Sequence, residues 1–259
     1  MKEGHYYDDK AFDYQQFWKD RQYEHLAEVE VLVKFLRKVR QSIHKDPLRV
    51  LDIGAGYGRL SSSYLFLADQ AVLLEPSVVL RKKAKKRLKK FSNFEIEGKT
   101  IEEAQFPDHS FNLIVMIRVL HHLASSQKAI KKINRWLTPG GYLILEFPNK
   151  LNFGNFLRNL KKGSLKGFYS LEAEDRRSLE NISKDGIPFL NFHPRWIKEA
   201  LRQEGFLIVN WISVSNWRSP RLKKLLPSPV LIILERLTRR FLSLFSYGPS
   251  FFVLAKKEA

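Results

Sequence analysis

Apolar positions early in the chain recur at helical spacing: Leu26, Val29, Leu32, Val33, Leu36 and Val39. With the aromatic residues before them (Tyr6, Tyr7, Phe12, Tyr14, Phe17, Trp18, Tyr23), this predicts one helix from Tyr6 to Val39, ended before Pro47. The pattern then switches to short unbroken apolar runs separated by amphipathic segments. "RVLDIGA" reads as a buried strand and "GRLSSSYLFLA" as the helix after it. "AVLLEPS" is a second strand ending at Glu75, and "RKKAKKRLKK" (Arg81 to Lys90) a basic amphipathic helix with Ala84, Leu88 and Phe91 on its apolar side. "FEIEGKTIEEA" gives a third strand with its exit loop. "FNLIVMIRVLHHL" gives a fourth strand running directly into a helix opened by His121 and His122, and "KAIKKINRWL" is amphipathic. "TPGGYLILEFPN" supplies a turn and a fifth strand. Strands alternating with helices specify an α/β fold with a parallel sheet covered on both faces.

Past Asn149 the alternation lapses, and 150–192 reads as a polar, basic insertion with one or two short helices. Regularity returns in "HPRWIKEALRQEGF", where Pro194 suits a first helical turn and Gly205 a helix end. "LIVNWISVS" is a sixth strand, Leu222 to Phe245 a basic amphipathic stretch, and "SFFVLAKK" a seventh strand. At 259 residues with 44% apolar content, the chain can bury the core of one domain, 1–259. It has no cysteine, no apolar run of the roughly 20 residues a bilayer span needs, and no apolar core in "MKEGHYYDDK". A soluble, cytoplasmic protein is expected.

The net charge of +18 admits nucleic acid, an anionic membrane or a merely solvated surface as its explanation. The run Arg81 to Lys90 lacks interleaved stacking aromatics, which favours a solvated helix face over a nucleic-acid patch. The stretch "RLKKLLPSPVLIILERLTRRFLSLF" combines apolar and basic residues, as helices lying on anionic membranes do. The same residues would also suit a helix packed on the sheet between the last two strands, a greasy acceptor pocket or a dimer contact.

The chemistry concentrates in "VLDIGAGYGRL", with Gly54, Gly56 and Gly58 after the first apolar run. A dinucleotide fingerprint needs a further glycine where Arg59 stands, which argues against a nicotinamide or flavin dinucleotide. D-x-G-x-G-x-G from Asp52 instead resembles the first motif of class I S-adenosylmethionine-dependent methyltransferases. "IRVLHHL" and "INRWLTPGGYLILEFPN" resemble their small-molecule, quinone-methyltransferase-like branch. The resemblance covers Val50 to about Asn149 well and the region from His193 onward loosely. It implies a Rossmann-like, seven-stranded, mostly parallel sheet with helices on both faces and an antiparallel last strand.

The same resemblance implies S-adenosyl-L-methionine as cofactor and no metal. Asp52, Gly54, Ala55, Gly56 and Gly58 would form the glycine turn, with Asp52 accepting from the methionine amino group or the loop amides. Glu75, beside Pro76, would hold the ribose hydroxyls. Ile101 and Glu102 would face the adenine, with Glu103 as the alternative register, and Ile117 would lie at the fourth-strand exit. Asn112 stands where the family commonly has aspartate. Residues 1–45 would form a helical lid in which Arg21 or Tyr23 meets the cofactor carboxylate and Tyr14 or Trp18 lines the acceptor pocket. Residues 46–149 would be the cofactor-binding core, and 193–259 the C-terminal part of the sheet with its amphipathic helix. His121, His122 and His193 are candidate bases for an acceptor hydroxyl; packing is the other reading of the pair, and a helix cap that of His193. The expected function is methyl transfer to a small apolar or amphipathic acceptor, O-methylation favoured. An RNA methyltransferase and a non-catalytic cofactor-binding partner subunit are the alternatives. A monomer or homodimer is expected, with peripheral contact at the inner membrane face as a further option.

Overall fold

The computed structural model describes residues 13–43, 47–161, 163, 169–183 and 186–258. The single helix predicted over Tyr6–Val39 is two, α1 (Tyr14–Lys19) and α2 (Gln22–Ser42); Tyr6, Tyr7 and Phe12 lie outside the described residues. Asp13 starts α1 by accepting from the Gln15 and Gln16 amides. Arg21, at φ −123° and ψ 41°, departs from helical geometry between the two. The break lets the α1 aromatics turn onto a different surface from the apolar stripe of α2.

The sheet is formed by β1 (Arg49–Ile53), β2 (Gln70–Leu74), β3 (Phe94–Glu97), β4 (Phe111–Met116) and β5 (Leu137–Pro148), joined by two later strands. Between the early strands run α3 (Ser62–Leu65), α4 (Val78–Arg87) and α5 (Ser126–Trp136). Two predicted helices are corrected here. The segment after β1 contains only one helical turn, α3, because Ser61 and Tyr64 turn their hydroxyls inward onto Asp52. His121 and His122 do not open a helix: they lie in a 3-10 turn (Leu120–His122), and α5 starts later, where the Ser125 hydroxyl accepts from the Lys128 amide.

The insertion contains α6 (Phe153–Lys161) and α7 (Leu179–Ser183), as well as an unforeseen two-stranded ribbon of β6 (Glu174–Asp175) and β7 (Leu190–Asn191). Next come α8 (Pro194–Gln203) and β8 (Phe206–Val214). The predicted Leu222–Phe245 stretch is likewise two helices, α9 (Pro220–Leu225) and α10 (Ser228–Leu244), separated where Pro227 holds an extended backbone. β9 (Ser250–Lys257) closes the sheet, whose order is β3-β2-β1-β4-β5-β9-β8. β9 is antiparallel to both neighbours and the other pairings are parallel, as the resemblance implied.

The two-residue alternation of the strands divides the core. Val50, Leu73, Leu113, Val115 and Ile144 face Ala27, Val31 and Phe35 of α2. Leu51, Leu74, Ile114, Leu143 and Leu145 face Ile130, Ile133 and Trp136 of α5 and Ile197 of α8. Asn112 does structural work: its Oδ1 accepts from the Arg49 amide at 3.0 Å, tying β4 to the start of β1. No helix among the described residues is long and apolar enough to cross a membrane.

Candidate active site

The carboxyl ends of β1, β2 and β4 meet around the glycine turn, where open α/β sheets bind ligands. The Gly54 and Ala55 amides both donate to the Leu74 carbonyl, at 2.9 and 3.0 Å, locking the turn to the end of β2. Gly54 and Gly56 have φ of +72° and +59°, a backbone that side-chain-bearing residues rarely adopt. A Cβ at Gly54 would come within 2.2 Å of Val119 Cγ2, whereas one at Gly56 would meet only a Tyr14 carbon at 3.7 Å. Gly54→Ala should therefore cost about 2–3 kcal/mol from strain plus overpacking, and Gly56→Ala about 1 kcal/mol from strain alone. Urea unfolding of the two variants measures the difference.

Glu75 is buried just past β2. Its Oε2 accepts from the Gly56 amide at 2.8 Å and its Oε1 from the Ser77 amide at 2.9 Å. Arg81 donates to the Glu75 and Pro76 carbonyls at 2.8 and 2.7 Å, so part of the basic helix clamps this loop rather than facing solvent. Burial pushes the Glu75 carboxyl up to about 7 despite the amides of Ser77 and Gly56. A carboxylate oxygen has two lone-pair sites. One backbone donor on each leaves the pair suited to two neighbouring hydroxyls, as a ribose presents. Asp52 is buried too and uses Oδ2 for Ser61 (3.1 Å) and Tyr64 (2.5 Å), not the loop amides; burial raises it to about 6 against the pull of those hydroxyls.

Over the turn lies α1. Trp18 is buried, with the guanidinium of Arg59 3.5 Å and that of Arg118 4.7 Å from its ring centre. Both arginines converge on the buried Glu28 of α2, Arg59 Nη2 at 2.5 Å from Oε2 and Arg118 Nη2 at 2.5 Å from Oε1. Burial alone would raise the Glu28 carboxyl, but Arg118 and Arg59 together hold it below the usual carboxylate range. Arg118 itself takes a left-handed φ of +63° at the exit of β4, its amide donating to Glu146 at 2.9 Å. Tyr14, Tyr57, Arg59, Ile117 and Arg118 with the glycine turn enclose a cavity of about 40 Å³. That is space for a few waters, far below the several hundred cubic ångströms of a small-molecule site.

Glu28, Arg59 and Arg118 were not among the residues expected from the sequence, although Glu24 and Glu28 stand out as charges on the apolar face of α2. Of the expected ones, Tyr14, Trp18, Ile117, Asp52, Glu75 and the glycines are brought together here. Tyr23 is elsewhere: its buried hydroxyl donates to Glu235 at 2.7 Å and accepts from the Trp217 amide at 2.9 Å. Arg21 stacks on Phe17, 4.0 Å from the ring centre. Ile101 is buried and Glu102 exposed, while Glu103 closes a reciprocal cap with Thr100.

His121 and His122 lie ring against ring, 3.9 Å between centres with the planes tilted by 46°, and Phe189 of the insertion meets His121 edge-on at 4.8 Å. His122 Nδ1 is 2.8 Å from the Pro188 carbonyl, and His121 Nδ1 is buried with no hydrogen-bond partner among the described residues. Burial, then the neighbouring His122 and Arg118, keep His121 well below the usual imidazole range. His193 accepts from the Arg195 amide at 3.1 Å and caps α8.

A mostly parallel sheet with a glycine turn on its first strand and a buried acid closing the second is the arrangement with which Rossmann-like folds bind nucleosides. Residues 17–211 match the family model described as methyltransferase domain, and the chain belongs to that family. It is 25% identical over 166 residues to the uncharacterized methyltransferase YcgJ of Bacillus subtilis, 59% of this chain and 65% of that one. It is 28% identical over 168 residues to the fumosorinone synthetase of Cordyceps fumosorosea, 61% of this chain and 4% of that protein. The chain thus spans less than two thirds of either relative's length. The fold is shared with an inferred S-adenosylmethionine-dependent methyltransferase of Listeria monocytogenes, with a TM-score of 0.62 at 17% identity over 90% of this chain and 99% of the other.

Proposed function

We propose that the chain is an S-adenosylmethionine-dependent enzyme that methylates a hydroxyl of a small amphipathic acceptor. The observation that carries this reading is the neutral, unpartnered Nδ1 of His121 beside the apolar ring of Phe189. Glu75 would hold the cofactor's ribose, Ile101 and Glu102 its adenine edge, and Asp52 with the glycine turn its amino-acid end. When bound, the cofactor supplies a methyl group made electrophilic by its sulfonium. The chain's own work is then to align the acceptor, exclude water and remove one proton. His121, unprotonated at neutral pH, would accept that proton at Nδ1. The small cavity implies that α1 moves aside for the ligands and returns with Trp18 on the two guanidiniums as the cover.

His121→Ala should lower kcat by about 10²–10⁴ with little change in cofactor Kd. His193→Ala should leave turnover intact and cost about 1 kcal/mol of stability as a lost cap. The deciding assay offers labelled S-adenosyl-L-methionine with a lipid extract and, separately, with RNA. Label in a lipid-extract product supports the reading; label in RNA replaces it with the RNA methyltransferase, and label in neither with the partner subunit.

A further inference from the structure

We propose that the outer face of α10 docks on an anionic lipid surface. The inner face of this helix is accounted for: Leu231, Ile232, Glu235 and Arg239 are buried against the rest of the molecule. Its outer face carries Val230, Ile233, Leu237, Phe241 and Leu244, of which Ile233 is 54%, Leu237 76%, Phe241 62% and Leu244 80% exposed. Their spacing of three or four residues gathers them within about 80° of arc at 3.6 residues per turn. A surface helix ordinarily turns polar residues to water. One exposed leucine needs no explanation, but a continuous outward stripe does. The face extends beyond the helix, because Phe153 of α6 donates its amide to the Tyr247 carbonyl at 3.0 Å and stacks on the Tyr247 ring at 5.0 Å. Phe156 and Leu160 of the same short helix are also exposed.

Charge selects the occupant. Arg236 and Arg240 flank the stripe; Arg236 and Arg239 both reach Glu30, at 2.9 and 3.3 Å, and Arg239 also pairs with the buried Glu235 at 3.6 Å. Lys34 of α2 adds to this crowd: burial, then Arg240, Arg239 and Lys38, push its ammonium below the usual range. Lys38 itself donates to the neutral Asn210 amide oxygen, at 3.0 Å. Apolar side chains rimmed by cations in excess match the acyl boundary of a bilayer and the phosphates above it. A second copy fits worse, since twofold pairing would bring the same cationic rim against itself on a chain of net charge +18. Docking would also orient the site. Lys223 of α9 bonds Glu24 of α2 at 2.8 Å, one helical turn before the Glu28 that holds Arg59 and Arg118. The docked helix thus rests on α2, through Arg236 and Arg239 to Glu30, and α2 is the helix that anchors the arginines beneath the α1 cover, where an acceptor with an apolar tail would arrive. Only that last step rests on the proposed acceptor class; docking itself does not.

The test is flotation of the full chain with vesicles of equimolar phosphatidylglycerol and phosphatidylcholine, against phosphatidylcholine alone. Binding is expected on the anionic vesicles only and should weaken with salt. The double variant Leu237→Glu, Phe241→Glu should lower the partition coefficient about tenfold or more, with cofactor affinity and unfolding temperature unchanged. Absence of binding at low salt would overturn the proposal. So would undiminished binding by the double variant, which would make net charge alone the cause. Light scattering that finds a dimer split by the same variant would give the stripe to a second copy and overturn it too. Vesicle binding that persists while no acceptor hydroxyl in detergent is methylated would sink the acceptor reading and leave docking standing.

Discussion

Glu75→Ala is expected to weaken S-adenosyl-L-methionine binding by about two to four powers of ten on the proposed ribose contact, whose two charge-assisted hydrogen bonds would each be worth about 1.5–3 kcal/mol. The substitution also strips the Gly56 and Ser77 amides of their partner, so the turn loses definition as well. Glu75→Gln keeps an acceptor oxygen and should lose about tenfold to a hundredfold. The pH dependence is a sharper signature. Burial sets the folded carboxyl at about 7 against an ordinary 4.5, so between those values the folded free protein keeps a proton that the unfolded chain has released. Its stability then falls as pH rises through that window, by roughly 3 kcal/mol in all. Asp52, at about 6, adds a smaller contribution of the same sign. Cofactor affinity should run the opposite way, because only the carboxylate accepts from both hydroxyls. Titration calorimetry and thermal unfolding across the window read the two trends. Affinity that stays flat with pH in the wild type, or that retains its slope in Glu75→Gln, would refute the assignment.

The elements that set Glu75 in place were the most legible in the sequence. β1, apolar but for Arg49 and Asp52, and β9, with Phe251 to Ala255 in an unbroken apolar run, carry no competing periodicity, and each folds where the pattern put it. The glycine turn declares itself because its backbone demands glycine locally. What the sequence hid depends on distant partners. The break at Asp20–Arg21 is invisible in a pattern that stays helical on both sides, because what matters is that Trp18 and Phe35 are buried against different surfaces. Tyr23 carried no mark of its destination, since Glu235 lies 212 residues away. The β6–β7 ribbon is too short to carry a period. The 3-10 turn before α5 looked helical because the apolar run of β4 continues through Val119 and Leu120.

Removing Glu28 should be the most damaging single change to stability, since Glu28→Ala leaves Arg59 and Arg118 facing each other without their shared carboxylate. Breaking a buried pair by deleting one partner costs about 3–5 kcal/mol, mostly as the penalty of the charges left behind. Arg59 is 8% exposed and Arg118 27%, so Arg59 carries the larger share, while solvent relieves part of the Arg118 penalty. The pairing joins three segments: Glu28 comes from α2, Arg59 follows the glycine turn and Arg118 lies two residues past β4 in a left-handed conformation that costs about 1–2 kcal/mol. With the carboxylate gone, nothing on α2 holds that strained residue under Trp18, so the floor of the cofactor cavity and the seat of its cover loosen together. The Glu28 carboxyl is held below its ordinary range. Its contribution is therefore present above the unfolded carboxyl pKa and lost as pH falls through the folded value, opposite in sign to that of Glu75. Denaturant unfolding of Glu28→Ala, Arg118→Ala and the double variant completes a cycle in which the coupling should reach about 1–3 kcal/mol. Additive single effects would mean that the two side chains act apart. Wild-type stability in Glu28→Ala would mean that water, rather than this carboxylate, carries the two guanidiniums.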